Sequence, residues 1–226
     1  MTLAVLIPAR DEAPRLGGVL DRVRASLPDA DVIVVDGRSQ DETAEIALAH
    51  GAAVVRQEGA RGYAGALRTG YQRCLALGYQ RVVQLDADGQ HPPEMAPALV
   101  ARLRDANWVV GSRDGTASPG SWPRRAGNRL LAAAVRAAGG PRSRDVTSGF
   151  WALDAQALAA FGAHLPTDVA DANVRVLAGR LGLTLVEHAV AMDLRGGGES
   201  MHDGPQAVLN LGRSLRAVVR EARRPL

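Results

Sequence analysis

The chain contains no lysine, so all 27 of its basic residues are arginine. This absence excludes mechanisms that need a lysine amine, such as Schiff-base chemistry or a phosphate-binding loop with its lysine. The handling of any phosphate is therefore left to arginine. The 24 acidic residues reduce the formal net charge to +3, and nucleic-acid binding gains little support from so small an excess.

Cysteine and long apolar runs are equally scarce. Cys74 is the single cysteine, which excludes an internal disulfide and a multi-cysteine metal site. It lies in a helical pattern, YQRCLALGY, and we expect it to pack in the core. Tyr63, Tyr71 and Tyr79 recur at eight-residue intervals around the same helix, which also indicates packing. No apolar stretch approaches the length of a membrane span, so we expect a soluble, cytoplasmic protein.

The first half of the sequence alternates short β-rich runs with longer helical patterns. The β-rich runs are LAVLIPA, DVIVVD, AAVVRQ, RVVQLD and NWVVGS. This alternation predicts an α/β fold with a mostly parallel sheet, helices on both faces, and ligands beyond the carboxyl ends of the strands. The second half is less regular, with a loop at 114–123, a helix near 125–138 and a strand at 183–192. Because no repeat or low-complexity tract divides the chain, one domain over 1–226 is the simplest interpretation.

Two aspartates stand one residue apart directly after the apolar run RVVQL. In an extended segment, residues i and i+2 point to the same side, so Asp86 and Asp88 would present both carboxylates to one place. Such oxygen ligands suit Mg²⁺ or Mn²⁺, and Gln90 adds a neutral oxygen at the same spacing. The alternative is that one aspartate caps the helix expected to begin at Pro92 while the other lies in a solvated turn.

Six segments bear on function through their order and spacing. They are LIPARDEA, VIVVDGRSQDET, ARGYAGALRTGY, VVQLDADGQHPPE, GSR and DVTSGFWAL. Together they resemble family 2 glycosyltransferases, most closely those that act on dolichyl or polyprenyl phosphate, from about residue 3 to about residue 202. The resemblance implies a GT-A fold, a Rossmann-like nucleotide-sugar domain. It also implies that Asp86 and Asp88 hold Mg²⁺ or Mn²⁺ on the donor diphosphate beside Ala87, with Gln90 as a further metal ligand.

The resemblance implies donor contacts at the ends of the first two strands. The residues at positions where the family binds the base and ribose are Pro8, Ala9, Arg10, Glu12 and Asp36. Asp36 has an alternative role as a cap of the following helix, for which Ser39 or Asp41 is better placed. Many relatives read Asp-Asp-Gly-Ser where this chain reads DGRS from Asp36, so the base preference stays open.

Two arginines are implied to steady the donor diphosphate. Arg113 resembles the family arginine that faces the donor phosphates and is assigned to catalysis with Asp88; its alternative is a solvated loop arginine. Arg195 precedes a glycine-rich segment, 196–204, which resembles the part that closes over the donor. The same composition suits a plain flexible loop. Met201 stands where relatives often carry lysine, which puts one phosphate contact in doubt.

The acceptor determines whether the enzyme needs a general base. A sugar hydroxyl must lose a proton, whereas a lipid phosphate is already anionic and attacks without a base. The segment DVTSGFWAL resembles the phosphate-directed form, and the Q-x-x-R-W string of hydroxyl-directed members is absent. Asp168 and Asp171 stand where some relatives place acidic residues. They are either a base for a hydroxyl acceptor or caps of the helix that follows.

A phosphate-bearing lipid also requires cations. The candidates for the acceptor phosphate are Arg124, Arg125, Arg129 and Ser200. For the three arginines the alternative is an ordinary basic helix face. Near the C-terminus, arginines recur at helical spacing with leucine and valine between them: Arg213, Arg216, Arg220, Arg223 and Arg224. Such a helix would either rest on anionic lipid or stay solvated.

The leading hypothesis is inverting, metal-dependent transfer of one sugar from a GDP- or UDP-linked donor to polyprenyl phosphate. The chain would comprise a donor half at about 1–113, an acceptor half at about 114–203 and a basic C-terminal helix at about 204–224. The chain would act in the cytoplasm or at the inner face of the membrane, through peripheral contact with lipid or a membrane partner. Two alternatives are transfer to a hydroxyl of a glycolipid or secondary metabolite, and a non-catalytic nucleotide-sugar-binding subunit.

Overall fold

The structure, a computed structural model, describes residues 2–113, 122–166, 168–192 and 205–225. These residues form seven β-strands and eight α-helices. The strands are β1 (Leu3–Ala9), β2 (Asp31–Asp36), β3 (Ala53–Arg56), β4 (Arg81–Gln84), β5 (Trp108–Arg113), β6 (Trp151–Leu153) and β7 (Leu185–Val190). The helices are α1 (Ala13–Ser26), α2 (Thr43–Ala49), α3 (Tyr63–Ala76), α4 (Ala96–Ala101), α5 (Trp122–Ala137), α6 (Ala155–His164), α7 (Asn173–Arg180) and α8 (Pro205–Arg223). Short 3₁₀ helices at Pro93–Met95 and Arg102–Arg104 flank α4.

All seven strands belong to one sheet with the order β3-β2-β1-β4-β6-β5-β7. Only β6 among the described strands is reversed, because it pairs antiparallel with both β4 and β5. The predicted α/β fold with a mostly parallel sheet is thereby confirmed. The chain leaves β1 outward to β2 and β3 and then returns to the other side of β1 as β4. This change of direction opens a crevice at the carboxyl ends of β1 and β4.

The strand register sets the shape of that crevice. The pairing of β1 with β4 ends at Leu6 and Gln84, whereas its pairing with β2 continues to Ala9 and Asp36. The end of β1 therefore extends three residues beyond its pairing with β4. The chain after β4 is free to turn across this step.

The sheet is buried on both faces because alternate residues of its strands meet different helices. In β1, Ala4 and Leu6 join a cluster with α3, α6 and α7, while Val5 and Ile7 join a cluster with α1 and α4. Cys74 is buried in the first cluster, as expected. A third apolar cluster connects three helices through Leu131 and Val135 of α5, Val176 of α7 and Val218 of α8.

Several element boundaries differ from the sequence-based expectations. The helix expected near 125–138 begins earlier, at Trp122, because a proline at its second position is tolerated where no backbone N–H is needed. The strand expected at 183–192 is shorter and runs from Leu185 to Val190. Pro92 is extended, and the 3₁₀ helix begins one residue later at Pro93.

The basic helix expected at about 204–224 is present as α8, which packs mainly against α5 and α7. Its inner side buries Ser214, Ala217, Val218 and Glu221, while its outer side is rich in arginine. Within the described ranges, no helix combines the length and apolar character that crossing a bilayer requires.

Gly179 marks the closest approach of α7 to the turn after α5. A Cβ at this position would lie 2.2 Å from the carbonyl oxygen of Gly139 and 3.0 Å from the Cα of Gly140. Backbone atoms cannot rotate out of the way as a side chain does. We expect Gly179→Ala to lower the free energy of unfolding by about 1–3 kcal/mol, as overpacking does.

Gly18 of α1 provides the matched control, because a Cβ there would meet no atom within 4 Å. In an exposed helix alanine is favoured over glycine, so Gly18→Ala should raise the free energy of unfolding by up to about 1 kcal/mol. Urea denaturation of both variants measures the difference. Equal stabilities would contradict the close approach of α7.

Candidate functional site

A cavity of about 650 Å³ opens at the crevice between β1 and β4. This volume is in the range of small-molecule sites. Its sheet side is lined by Pro8, Arg10, Glu12, Asp86, Ala87 and Asp88, with Tyr63 and Ala64 from the start of α3. The other side is lined by Thr147, Ser148, Gly149 and Trp151, by Asp168, Val169, Ala170, Asp171 and Arg175, and by Asn210, Arg213 and Ser214 of α8. The predicted donor and acceptor regions thus meet in one space.

Hydrogen bonds between the loops after β1 and β2 hold the sheet side of the cavity. The Asp11 N–H donates to Ser39 Oγ at 3.1 Å, and the Glu12 N–H donates to Thr43 Oγ1 at 2.9 Å. Asp11 has φ 54°, a left-handed conformation that aspartate tolerates better than most residues. This fixed loop presents Arg10 and Glu12 to the cavity.

Asp86 is held in place by neighbours from three parts of the chain. The Tyr63 hydroxyl donates to Asp86 Oδ1 at 3.0 Å, and Gln84 Nε2 donates to the Tyr63 hydroxyl at 3.0 Å. The Asp86 N–H donates to His91 Nδ1 at 2.9 Å, and the His91 ring stacks on Phe150 with centroids 5.4 Å apart. Desolvation and the Asp86 carboxylate raise the pKa of Tyr63 well above its usual value, so the phenol stays protonated and donates. One Asp86 oxygen therefore has a fixed direction.

Asp88 reaches the cavity through a turn. Strand β4 ends at Gln84, and Gly89 adopts φ 79°, which favours glycine. Asp88 Oδ1 accepts a hydrogen bond from the Gln90 N–H at 3.1 Å. The expected convergence of Asp86 and Asp88 on one cavity is therefore present. The turn ends the two-residue alternation of side chains before Gln90. Gln90 is not among the described lining residues, so the role of Gln90 as a metal ligand stays a prediction.

The side chains after β4 fit a hard divalent cation. Asp86 and Asp88 offer carboxylate oxygens, which Mg²⁺ and Mn²⁺ prefer, to the same cavity. Across the described ranges, no group of three or more histidine, cysteine, aspartate or glutamate side chains is placed to hold a metal. An ion held by this aspartate pair would need its other ligands from water or from a substrate.

Arg113 is paired with Asp145. Its Nε and Nη2 each donate to one Asp145 carboxylate oxygen at 2.7 Å, and Nη2 also donates to Thr147 Oγ1 at 2.6 Å. Burial alone would lower the pKa of Arg113 and raise the pKa of Asp145, but the bidentate pair outweighs it and shifts both the other way. Arg113 is not among the described lining residues, so its contact with donor phosphates stays a prediction.

A second arginine, Arg175 of α7, is fully buried in the cavity wall. Its Nη2 donates to the carbonyl oxygens of Asp145 and Ser148, each at 3.1 Å. Its guanidinium carbon lies 5.0 Å from the ring centroid of Trp108 and 5.5 Å from that of Trp151, distances at which aromatic faces attract a cation. Burial lowers the pKa of Arg175 to about 10, and the side chain remains charged at neutral pH.

Asp168 and Asp171 both line the cavity, but neither caps α7. The residue before this helix is Ala172, and no side-chain bond caps the helix there. Asp168 forms an ion pair with Arg220 at 2.5 Å, and Asp171 accepts a hydrogen bond from the Ser214 hydroxyl. The cap interpretation is therefore wrong. Both carboxylates connect the cavity wall to α8.

Two predicted donor-binding residues lie behind the described cavity lining. The Ala9 carbonyl accepts a hydrogen bond from the Gly37 N–H at 2.7 Å. The Asp36 carboxylate, in a residue only 9% exposed, accepts a hydrogen bond from the Ser39 N–H at 2.9 Å. Asp36 thus stabilises the loop after β2, and its contact with a nucleotide stays a prediction.

The predicted acceptor cations are only partly described. Arg129 is exposed on α5 and is not among the described lining residues. The side chains of Arg124 and Arg125 lie outside the described part of the structure, and so do Arg195 and Ser200. Their assignments stay predictions.

Tyr63 is a residue of the candidate site that sequence reasoning missed. The eight-residue spacing of the tyrosines suggested packing, but Tyr63 is 39% exposed and contacts Asp86. A usable signal was its position at the start of the helix after β3, because such a helix begins at the carboxyl edge of the sheet. The α8 lining residues gave no comparable signal.

The mostly parallel sheet of seven strands with flanking helices matches the GT-A fold of solved glycosyltransferases. Residues 4–162 match the model of glycosyl transferase family 2, and the chain belongs to this family. The expected family, the GT-A fold and the assignment as an enzyme are confirmed.

Individual relatives place the chain near polyprenyl-phosphate sugar transferases. It is 31% identical to the undecaprenyl-phosphate mannosyltransferase of Micrococcus luteus, over 94% of this chain and 93% of that protein. It is 34% identical to the dolichyl-phosphate hexose transferase of Haloferax volcanii, over 65% of this chain and 64% of that protein. Among solved structures it resembles glucosyl-3-phosphoglycerate synthase from Mycobacterium tuberculosis in complex with Mn²⁺, UDP and glucosyl-3-phosphoglycerate. That match has a TM-score of 0.67 and 26% identity, and covers 97% of this chain and 78% of that one.

The pairing of Asp145 with Arg113 generates a pH-dependent prediction. Asp145→Asn leaves a largely buried arginine without its counterion, so we expect the free energy of unfolding to fall by about 3 kcal/mol at neutral pH. The folded pKa of Asp145 is lowered, so its contribution is complete above the unfolded carboxyl pKa, about 3.9, and is lost as the pH falls through the folded pKa.

Urea denaturation of wild type and Asp145→Asn across this pH range measures the contribution. The difference between them should be constant near neutral pH and shrink below about pH 4. Asp29→Asn, at an exposed position, is the control and should resemble wild type. A difference independent of pH would show that the carboxylate charge of Asp145 is not what stabilises the fold.

Proposed function

We propose that this chain transfers one sugar, with inversion, from a GDP- or UDP-linked donor to polyprenyl phosphate, with Mg²⁺ or Mn²⁺ as cofactor. One observation carries the proposal. Asp86 and Asp88 share a cavity with Asp168 and Asp171, and these last two carboxylates already have partners in Arg220 and Ser214. The similarity to the Micrococcus luteus undecaprenyl-phosphate mannosyltransferase over nearly the whole chain supports it. In this proposal residues 1–226 act as one domain.

On the donor side, Asp86 and Asp88 would hold the divalent ion on the donor diphosphate, with Gln90 as a candidate third ligand. The bound ion supplies positive charge that stabilises the departing diphosphate. Tyr63 fixes the direction of the Asp86 carboxylate through its 3.0 Å hydrogen bond. Pro8, Arg10 and Glu12 line the same side of the cavity, where the base and ribose would bind.

On the acceptor side, we infer a nucleophile that needs no general base. A catalytic base must be able to accept a proton from the attacking group. Asp168 is paired with Arg220, and Asp171 already accepts the Ser214 hydroxyl. An acceptor phosphate brings its own negative charge and makes neither carboxylate necessary.

The proposed step needs no further reactant. A phosphate oxygen of the acceptor attacks the anomeric carbon of the donor sugar and forms a new C–O bond from the face opposite the leaving group. The bond between that carbon and the donor diphosphate breaks, and the nucleoside diphosphate leaves with the electron pair. The direction of attack inverts the anomeric configuration, and no proton transfer is required.

A lipid acceptor places the reaction at a membrane surface. The exposed side of α8 carries arginines together with Leu209 and Val219, which are 63% and 49% exposed. Basic and apolar groups of this kind suit peripheral contact with anionic lipid or a membrane partner. We place the protein in the cytoplasm, at the inner face of the membrane.

Loss of the Asp88 carboxylate should abolish metal-dependent donor binding. We expect GDP-mannose, UDP-glucose or UDP-N-acetylglucosamine to raise the melting temperature of the wild type only with Mn²⁺, because the ion bridges carboxylates and diphosphate. A donor at 100 times its Kd would add about 2.7 kcal/mol of stability. Asp88→Asn should lose this shift, and the control Asp29→Asn should keep it. A donor shift of equal size without Mn²⁺ would refute the metal assignment.

The acceptor class can be tested at Asp171. With a polyprenyl phosphate as acceptor, we expect Asp171→Asn and Asp168→Asn each to lower kcat by less than about tenfold, because neither carboxylate takes a proton. A general base contributes about 10²- to 10⁴-fold. A loss of that size in either variant, with donor binding and folding intact, would instead favour a hydroxyl acceptor and assign the base.

A further inference from the structure

We propose that Arg213 of α8 binds the phosphate group of the acceptor. This inference rests on the proposed function and deepens it by assigning a cation to the acceptor side of the site. The ligand chemistry is a phosphate monoester, carried either by a polyprenyl lipid or by a small soluble molecule.

Arg213 is placed at the cavity by its own helix. It lines the same space as Asp86 and Asp88, in a stretch of α8 that also contributes Asn210 and Ser214. Ser214 is buried and donates its hydroxyl to Asp171. Because Ser214 is hydrogen-bonded to Asp171, the backbone of α8 at Arg213 is fixed along the cavity.

The charge of Arg213 is uncompensated within the described part of the chain. Each of the other arginines that line the cavity has a partner: Arg10 lies 3.4 Å from Asp11, and Arg175 donates to two backbone carbonyls. Asp168 and Asp171, which also line the cavity, have partners on α8, since Asp168 pairs with Arg220 and Asp171 accepts the Ser214 hydroxyl. Arg213 makes no ion pair or hydrogen bond with any described residue.

An unpaired guanidinium in the same cavity as two carboxylates that suit a metal ion is suited to an incoming anion. Its forked N–H groups match two oxygens of a phosphate. The chain has no lysine that could take this role. On this basis Arg213 would hold the acceptor phosphate at the cavity, with one phosphate oxygen left for attack on the sugar.

The test compares Arg213→Gln with Arg216→Gln in the full chain. Arg216 is also an exposed arginine on the same helix, but it lines a separate groove with Leu215 and Val219. We expect Arg213→Gln to raise KM for the phosphate acceptor by about 10- to 100-fold through lost charge-assisted hydrogen bonds. Arg216→Gln should leave KM within about twofold, and Arg213→Lys should recover part of the loss.

Two acceptor probes distinguish the sources of the phosphate. Farnesyl phosphate in neutral detergent represents the lipid, and 3-phosphoglycerate represents a soluble ester. Both probes are also titrated calorimetrically in the presence of Mn²⁺ and the nucleoside diphosphate, a binding measurement that does not require turnover. The probe whose binding weakens in Arg213→Gln identifies the source, while the Mn²⁺-dependent donor shift should be unchanged.

The outcomes separate this inference from the proposed function. If the wild type transfers sugar only to a hydroxyl, the proposed function fails, and weaker binding of a phosphate ester by Arg213→Gln would still support the anion site. If the wild type binds neither phosphate ester, or if Arg213→Gln and wild type bind and use them equally, the inference is overturned. An equal loss in Arg216→Gln would also overturn it, because the effect would then be general attraction to the α8 surface.

Discussion

Asp145 connects the end of β5 to α7 because it accepts hydrogen bonds from two arginines at once. Its carboxylate binds Arg113 at the end of β5, and its carbonyl oxygen accepts a hydrogen bond from buried Arg175 of α7. The segment that follows is thereby fixed along the cavity as far as Gly149, where a Cβ would lie 3.3 Å from Asp86. The ion pair between Arg113 and Asp145, which lies outside the described cavity lining, thus helps to hold the segment that approaches Asp86.

The parallel part of the fold was predictable because its strands are buried on both faces and therefore appear as continuous apolar runs, such as DVIVVD. The reversed strand β6 was not. It has only three residues, Trp151–Leu153, and its direction comes from pairing with β4 on one side and β5 on the other. Both partner strands lie far away in sequence, so the local sequence pattern does not predict the pairing of β6.

The site was predictable where a residue type and a strand end coincide, as at Asp86 and Asp88. A residue's role was less predictable where it depends on a partner that tertiary packing brings close. Arg113 carries the same charge whether it faces phosphate or Asp145, and only the folded chain shows the pairing. Asp171 stands at the start of a helical pattern and is a residue type that often caps helices. Its side chain instead accepts a hydrogen bond from Ser214, 43 residues later. Tyr63 was missed because spacing along a helix does not show which tyrosine lies at the sheet edge.

The attachment of α8 has a consequence for how such a fold diversifies. This helix packs mainly on α5 and α7, and it reaches the cavity through a few polar side chains, Asn210, Arg213 and Ser214. The loops after β1 and β4 fix the sheet side by hydrogen bonds that do not involve α8. Substitutions at these three positions would therefore change the α8 side of the cavity while the hydrogen bonds that hold Asp86 stay in place. One wall of the cavity is thus fixed by the sheet and its loops, while changes in α8 can reshape the opposite wall independently.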